Sequence, residues 1–350
     1  MASVDLGTVF KSGVCLISGT AFGFVLEKSA VYTPDVIRNA VLLTSGTPLK
    51  MWLAANATAM ATLTVLPLLG GEEIVESAKS DHCVKGDGMT LAAVGGFIHG
   101  AGIVICGAGP ATILVQLGTR TENCLYAFAG CLTGALIYGY LHSKIAGESK
   151  QSGILKRKCT VDDYLESGSY ARCAIPVFVG VQLFLRNADK YLPADTASGC
   201  GCPSIKHGVL LGMINLPILL AMRKMIGCSS SCVTLASQFV PKSFSSNYLE
   251  SFRSGFKKWW QVLFTTGAIA GAFISARAAD CIGTVPGVPK TAAFLGGATM
   301  IFGARVANGC VCGHGVTGVS LLSVLSMANT AATIAGGYVT VKAMQSLGVF

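Results

Sequence analysis

The chain has 350 residues, of which 52% are hydrophobic and only 12% charged, with a formal net charge of +9. Soluble domains carry about 25% charged residues, so an ordinary water-soluble domain is excluded, and the mean hydropathy of +0.60 points to lipid as one of the solvents. No compact basic domain or aromatic-interleaved basic stripe stands behind the positive charge, which leaves nucleic acid out as a partner.

A helix that crosses the hydrocarbon needs about 20 mostly apolar residues. Runs of that kind recur at 13–31, 49–69, 92–107, 123–141, 170–185, 207–222, 259–276, 292–308 and 321–341. They predict an all-α, polytopic membrane protein with nine transmembrane helices. Strand-like alternation is missing and Leu, Ala, Val and Gly dominate, so a β-barrel is excluded and helices satisfy the backbone in lipid. The first run follows a single Lys and lacks a small-residue cleavage pattern, so it is expected to stay as a span.

Residues 1–141 read as an N-terminal transmembrane half. The least apolar stretch, 142–169, carries Lys156, Arg157 and Lys158 and reads as a polar linker. Residues 170–204 hold an isolated fifth span and a polar loop, and 205–350 form the C-terminal half. The basic connections 144–158 and 223–258 fall on the side of the N-terminus, which the positive-inside rule places in the cytoplasm of a cell-membrane protein.

The halves share a weak repeat. Gly95-Gly96-Phe97-Ile98-His99-Gly100 answers to Gly296-Gly297 and Phe302-Gly303-Ala304, and each copy runs into a glycine-dense exit, Cys106-Gly107-Ala108-Gly109 and Gly309-Cys310-Val311-Cys312-Gly313-His314-Gly315. A fainter match sets Lys28 through Tyr32 beside Lys224 through Cys228. Five spans separate each matched pair, an odd number, so the second half is expected to enter the membrane from the opposite side. Inverted repeats place their solute site near the midplane, where short or re-entrant helices meet.

The glycines divide into two groups. Gly19/Gly23, Gly96/Gly100, Gly130/Gly134, Gly208/Gly212 and Gly267/Gly271 have the spacing of close helix packing. Gly107, Gly109, Gly309, Gly313 and Gly315 follow spans that stop short, where unwound backbone offers N–H groups to an anion. Arg305 is a strong cation inside a span, a functional-site hypothesis by default; the alternatives are snorkelling or pairing with a carboxylate such as Asp280. His314 either donates to an anion or caps carbonyls. Cys310 is either a packing residue or a neutral thiol that donates weakly to soft sulfur. Most of the fourteen cysteines lie in or beside apolar runs and behave as small hydrophobes; Cys200/Cys202, Cys228/Cys232 and Cys310/Cys312 lack the frame of structural zinc sites, so no metal and no cofactor is expected.

Two stretches carry a resemblance to a known family. Residues 303–315 resemble the G-A-R-L-A-G-G-C-T-S-G-H-G signature of the YeeE/YedE-type sulfur-transport family, and residues 100–112 follow its other copy, G-F-G-M-V-L-A-G-G-C-A-T-G. The resemblance implies a permease whose cysteines line an hourglass path and pass a thiosulfate-like ion along by S–H···S contacts. Cys310 stands at the family's cysteine position. The first-half counterpart is Gly109, with Cys106 three residues earlier, and Lys28 to Tyr32 stand where the family often reads R-x-x-F-C. The expected path is therefore Cys310, Cys106, Gly107, Gly109, Gly309, Gly313, His314, Arg305, Cys312, Cys228, Tyr32 and Lys28. The partners so implied are the lipid bilayer, a small sulfur oxyanion and a sulfur-handling protein on the cytoplasmic side. The competing classes are a membrane-embedded thiol enzyme of sulfurtransferase type, with Cys312 beside His314, and a structural membrane protein. No Walker A pattern is present, which argues against direct ATP drive.

Overall fold

The computed structural model describes residues 6–83, 88–149, 159–166, 169–193 and 204–348. Lys156, Arg157 and Lys158 of the expected linker and the Cys200/Cys202 pair lie outside the described residues. The N-terminal half contains α1 (Leu6–Lys28), α2 (Pro34–Val41), α3 (Thr47–Leu68), α4 (Glu72–Cys83), α5 (Met89–Cys106), α6 (Thr112–Thr119) and α7 (Cys124–Ser149). Then come α8 (Val161–Tyr164) and α9 (Tyr170–Tyr191). The C-terminal half contains α10 (Ser204–Met222), α11 (Ser229–Gln238), α12 (Asn247–Arg253), α13 (Phe256–Ala278), α14 (Lys290–Val306), a π-helix (Val311–Gly318) and α15 (Val324–Ser346).

Each expected span coincides with a long helix: α1, α3, α5, α7, α9, α10, α13, α14 and α15. Among the described residues, five of these (α1, α3, α5, α7 and α10) are long and apolar enough to cross a membrane, and α14 with the π-helix, bent by 47°, makes a sixth. The chain is thus an all-α, multi-pass membrane protein. Extended pairing among the described residues is limited to one bridge, Thr160 to Ser323. The short helices α2, α4, α6, α11 and α12 escaped the sequence reading because none has the length of apolar run that marks a span.

In lipid, helices associate through close backbone approach rather than through hydrophobic drive. The five GxxxG pairs do this. Gly19 and Gly23 of α1 meet the backbone of Phe264 and Ala268 in α13, and Gly267 and Gly271 of α13 meet that of Leu16 and Thr20. Gly208 and Gly212 of α10 lie on Met51 and Ala55 of α3, Gly96 and Gly100 of α5 on Asn329 and Thr333 of α15, and Gly130 and Gly134 of α7 on Phe294 and Ala298 of α14. A Cβ at any of the ten would collide with a neighbouring carbonyl. Residue numbers rise together in every pair, so α1 runs parallel to α13, α3 to α10, α5 to α15 and α7 to α14. Helices α5 and α14 run antiparallel, with Gly95 against Ala307 and Gly102 against Met300.

The segment between the halves is tied down. A disulfide joins Cys83 at the end of α4 to Cys159. Lys79 reaches Asp162 at 3.0 Å and Asp163 at 2.9 Å, while Val161 N–H donates to Leu322 O at 2.9 Å and Val324 N–H to Cys159 O at 3.1 Å. Burial works against the Asp163 carboxylate, but the Thr160 N–H, the Lys79 ammonium, the Thr160 hydroxyl and the Cys159 N–H together hold its pKa well below the usual range. Burial likewise opposes the Lys79 charge, and its two carboxylates outweigh that, raising its pKa. Treating the cysteines as small hydrophobes missed this disulfide; the available signal was that Cys83 and Cys159 both sit in polar connections.

Candidate functional site

Helix α14 stops at Val306 because the chain turns through Ala307, Asn308 and Gly309, with Asn308 at φ +61°, a left-handed conformation that Asn tolerates better than most residues. The chain re-enters helix as a π-helix, a rare form that concentrates at functional sites. Four neighbours fix it. Trp52 Nε1–H and Asn56 Nδ2–H of α3 donate to Gly315 O at 2.7 and 3.1 Å. The Thr317 hydroxyl donates to Ile226 O at 2.8 Å. Val311 N–H donates to His99 Nε2 at 3.3 Å, whose Nδ1 bonds Met300 O at 2.8 Å, so the proton sits on Nδ1.

Arg305, one residue before the end of α14, is 4% exposed. Its guanidinium donates to the Tyr248 hydroxyl at 3.0 Å, Ser230 at 3.1 Å, Asn308 Oδ1 at 3.3 Å and Ser229 at 3.4 Å, all uncharged. The pairing with Asp280 does not occur, because Asp280 lies in the turn between α13 and α14, at the other end of α14. Snorkelling is excluded by burial.

Arg305 forms part of the wall of a cavity of about 570 Å³. The wall also holds Lys224, Lys257, Lys258, His82, His142 and His314, with Asp81, whose carboxylate pairs with Lys224 at 3.0 Å. Gly309, Cys310 and Gly313 also line this cavity. A second cavity, of about 340 Å³, lies against the α2–α3 turn and the other side of the π-helix; Cys312, Val311 and Val316 line it with Phe22, Leu26 and Met51, and no charged side chain is among its lining residues. Ile226 and Thr317 border both cavities. Between them the Cys310 thiol neighbours that of Cys312, which in turn neighbours the buried Cys228 thiol.

The expected path residues divide accordingly. Arg305, Gly309, Cys310, Gly313 and His314 line the first cavity, Cys312 the second, and Cys228 stands behind Cys312. Cys106, Gly107, Gly109, Tyr32 and Lys28 line neither. Cys106, the last residue of α5, is buried against Gly296 of α14. Gly107, at φ +63°, packs on Pro34, a position where a side chain would be both strained and crowded. Gln116 Nε2 closes this first-half break by donating to Gly107 O at 3.0 Å and Tyr32 O at 2.8 Å. Gly109 N–H donates to the Thr112 hydroxyl at 2.7 Å, and Lys28 pairs with Glu27 at 3.6 Å.

His314 serves neither Cys312 nor Cys310. Its Nε2 bonds Ala307 O at 2.9 Å and its Nδ1 the Ser326 hydroxyl at 2.8 Å, so the thiol-enzyme reading loses its base. Sequence reasoning missed Tyr248, Ser229, Ser230, His82 and Ser326. The only signal was that three of them fall in the connections 223–258 on the basic face.

No curated protein matches the chain. The family described as sulphur transport matches residues 28–339, nearly the whole length and both glycine-dense exits. The chain belongs to this sulphur-transport family, the YeeE/YedE type to which its two motifs pointed.

Proposed function

We propose that the chain is a permease for a small inorganic sulfur anion such as thiosulfate, not an enzyme, and that the solute descends the cationic cavity to a constriction built from Cys310, Cys312, Cys228 and the backbone of Gly309 and Gly313. The observation that carries this reading is Arg305. A buried guanidinium whose hydrogen-bond partners are all neutral, on the wall of a cavity large enough for an oxyanion, favours a mobile counter-ion. The thiols add soft S–H donors without adding negative charge, so sulfur can pass where a carboxylate would repel an anion.

Nine helices cross the membrane in this reading, with halves of opposite orientation at 1–141 and 205–350, joined by 142–169 and the isolated 170–204. The packing supports it. Exchanging α1 with α10, α3 with α13, α5 with α14 and α7 with α15 maps each parallel pair onto another parallel pair, and the exchanged helices α5 and α14 are antiparallel, as an axis in the membrane plane requires. The cell membrane is the expected location, and a sulfur-handling protein on the cytoplasmic side is the expected recipient.

The test is uptake by the purified chain reconstituted in liposomes, with labelled thiosulfate, sulfite, sulfate and selenite compared with hydrosulfide. Protein-dependent flux of at least one sulfur species supports the reading. A flat result for all of them overturns it.

A further inference from the structure

The two cavities that meet at the constriction differ in the charge they accept. The first has Arg305, Lys224, Lys257 and Lys258 in its wall; the second has only apolar and neutral polar side chains. An ion taken from water into surroundings without counter-charge loses its solvation uncompensated. A solute held as an anion in the first cavity therefore crosses the second most readily in a less charged form.

A proton carrier stands at the junction. His82 Nε2 lies 2.9 Å from the Ser326 hydroxyl, which lies 2.8 Å from His314 Nδ1. The Ala307 carbonyl can only accept, so His314 Nε2 carries a hydrogen. That leaves Nδ1 to accept from Ser326 O–H, and the Ser326 oxygen to accept from His82 Nε2–H. The hydrogen bonds thus run in one direction, from the wall of the cationic cavity at His82 to His314 against Gly309. A carbonyl cap accounts for one imidazole, but not for a second joined to it through a serine.

Resting on the sulfur-anion reading, we propose that the solute is the anion of a weak sulfur acid of the hydrosulfide type, protonated at the constriction by His314 and passed on as the neutral acid. The S–H bond forms as His314 Nε2–H breaks. His314 Nδ1–H forms as Ser326 O–H breaks, Ser326 O–H reforms as His82 gives up Nε2–H, and His82 takes its replacement from hydronium in the cationic cavity. The chain resets when hydronium in the cationic cavity, which His314 lines, protonates Nε2 while Nδ1–H returns its proton through Ser326 and His82 to water. One anion and one proton enter, one neutral acid leaves, and no electron moves.

The charged and titratable groups around this chain come from several elements. Arg305 of α14 and His99 of α5 lie near His314, and the His82 ring of α4 meets it edge-on with centroids 5.7 Å apart. His82 adjoins the Asp81–Lys224 pair, and Lys79 with Asp162 and Asp163 lies one helical turn behind it.

The test uses the full chain in liposomes carrying an internal pH dye, with sodium hydrosulfide added outside and protein-free vesicles as the baseline for passive leak. Entry of the neutral acid, or of anion plus proton, acidifies the interior; entry of the bare anion makes it alkaline. The expected result is protein-dependent acidification that does not change when the membrane potential is clamped. His82→Gln keeps an N–H for Ser326 but cannot relay a proton, and Ser326→Ala removes the bridge. Each should lower the protein-dependent rate at least tenfold while the protein elutes as the parent does. Protein-dependent alkalinisation, a rate that follows the potential, or a His82→Gln rate equal to the parent's overturns the proposal. If labelled thiosulfate crosses without protons while hydrosulfide does not, this inference falls and the permease reading stands. If nothing crosses, both fall.

Discussion

Arg305 donates from Nε to the Tyr248 hydroxyl at 3.0 Å, and the Tyr248 ring stacks on His142 with centroids 4.3 Å apart. Through this tyrosine a cation at the end of α14 is held by the connection that leads into α13. Hydrogen bonds to charged groups contribute about 1.5–3 kcal/mol. Arg305→Gln should therefore lower the initial uptake rate in proteoliposomes about tenfold or more. Arg305→Lys should fall between, because it keeps the charge and loses the planar fork. Tyr248→Phe, which removes one bond of several, should cost a few-fold. An Arg305→Gln protein that inserts and transports like the parent would remove Arg305 from the path.

Cys310 lines the first cavity and Cys106 lines neither. A weak S–H contact is worth about 0.5–1 kcal/mol, so Cys310→Ser should slow transport a few-fold, while a bulky thiol adduct at Cys310 should nearly abolish it by filling the constriction. Cys106→Ser should transport at the parent rate. Equal rates for parent, Cys310→Ser and Cys310→Ala would shift the site to the amides of Gly309 and Gly313.

Glu76 on α4 and Thr284 between α13 and α14 are both exposed. If the halves are inverted, single cysteines introduced at these positions should add reactivity toward an impermeant maleimide from opposite sides of sealed vesicles. Added labelling from one side only would defeat the inverted arrangement.

The Cys83–Cys159 disulfide lies on the face that carries the basic connections and the mouth of the cationic cavity. Disulfides persist in oxidising compartments, so the bond predicts that this face lies away from the reducing cytosol, whereas the Lys and Arg distribution predicts the opposite side. Native membranes quenched with a thiol-alkylating mass tag should leave both cysteines untagged until a reductant is added. Immediate tagging of Cys83 and Cys159 would return that face to the cytoplasm.

The pH response of the clamp around Asp163 is separate from that of the histidine chain. A carboxylate with a depressed folded pKa stabilises the fold above its unfolded value, about 3.9, and loses that contribution as pH falls through the folded value. Lys79, with a raised pKa, contributes below about 10.4 and loses its contribution as pH rises beyond that. The stability difference between the parent and Asp163→Asn should thus be constant from about pH 5 to 9 and shrink in stronger acid, as measured by thermal unfolding in detergent. A difference that changes near neutral pH would contradict these shifts.

The sequence by itself determined the solvent, the helices and the family. Twenty-residue apolar runs, GxxxG spacing and the paired glycine-rich exits are local patterns, and local patterns report what a segment needs from its surroundings: lipid around it, a backbone against it, or a break within it. They also marked Arg305, Cys310 and His314, because a charge, a thiol and an imidazole among glycines stand out in an apolar chain. Tertiary structure alone decided which of the two breaks opens onto the cationic cavity. Gly107 and Gly309 look alike in sequence, yet Gln116 closes the first, while the second stands under a cationic wall of Lys224 between α10 and α11, Lys257 and Lys258 of α13 and Arg305 of α14. It also decided that Arg305 faces serines and a tyrosine instead of Asp280, that Ser326 joins His82 to His314, and that Cys83 meets Cys159 across 76 residues. These are contacts between segments far apart in the chain, and only the packing of helices brings them to within bonding distance.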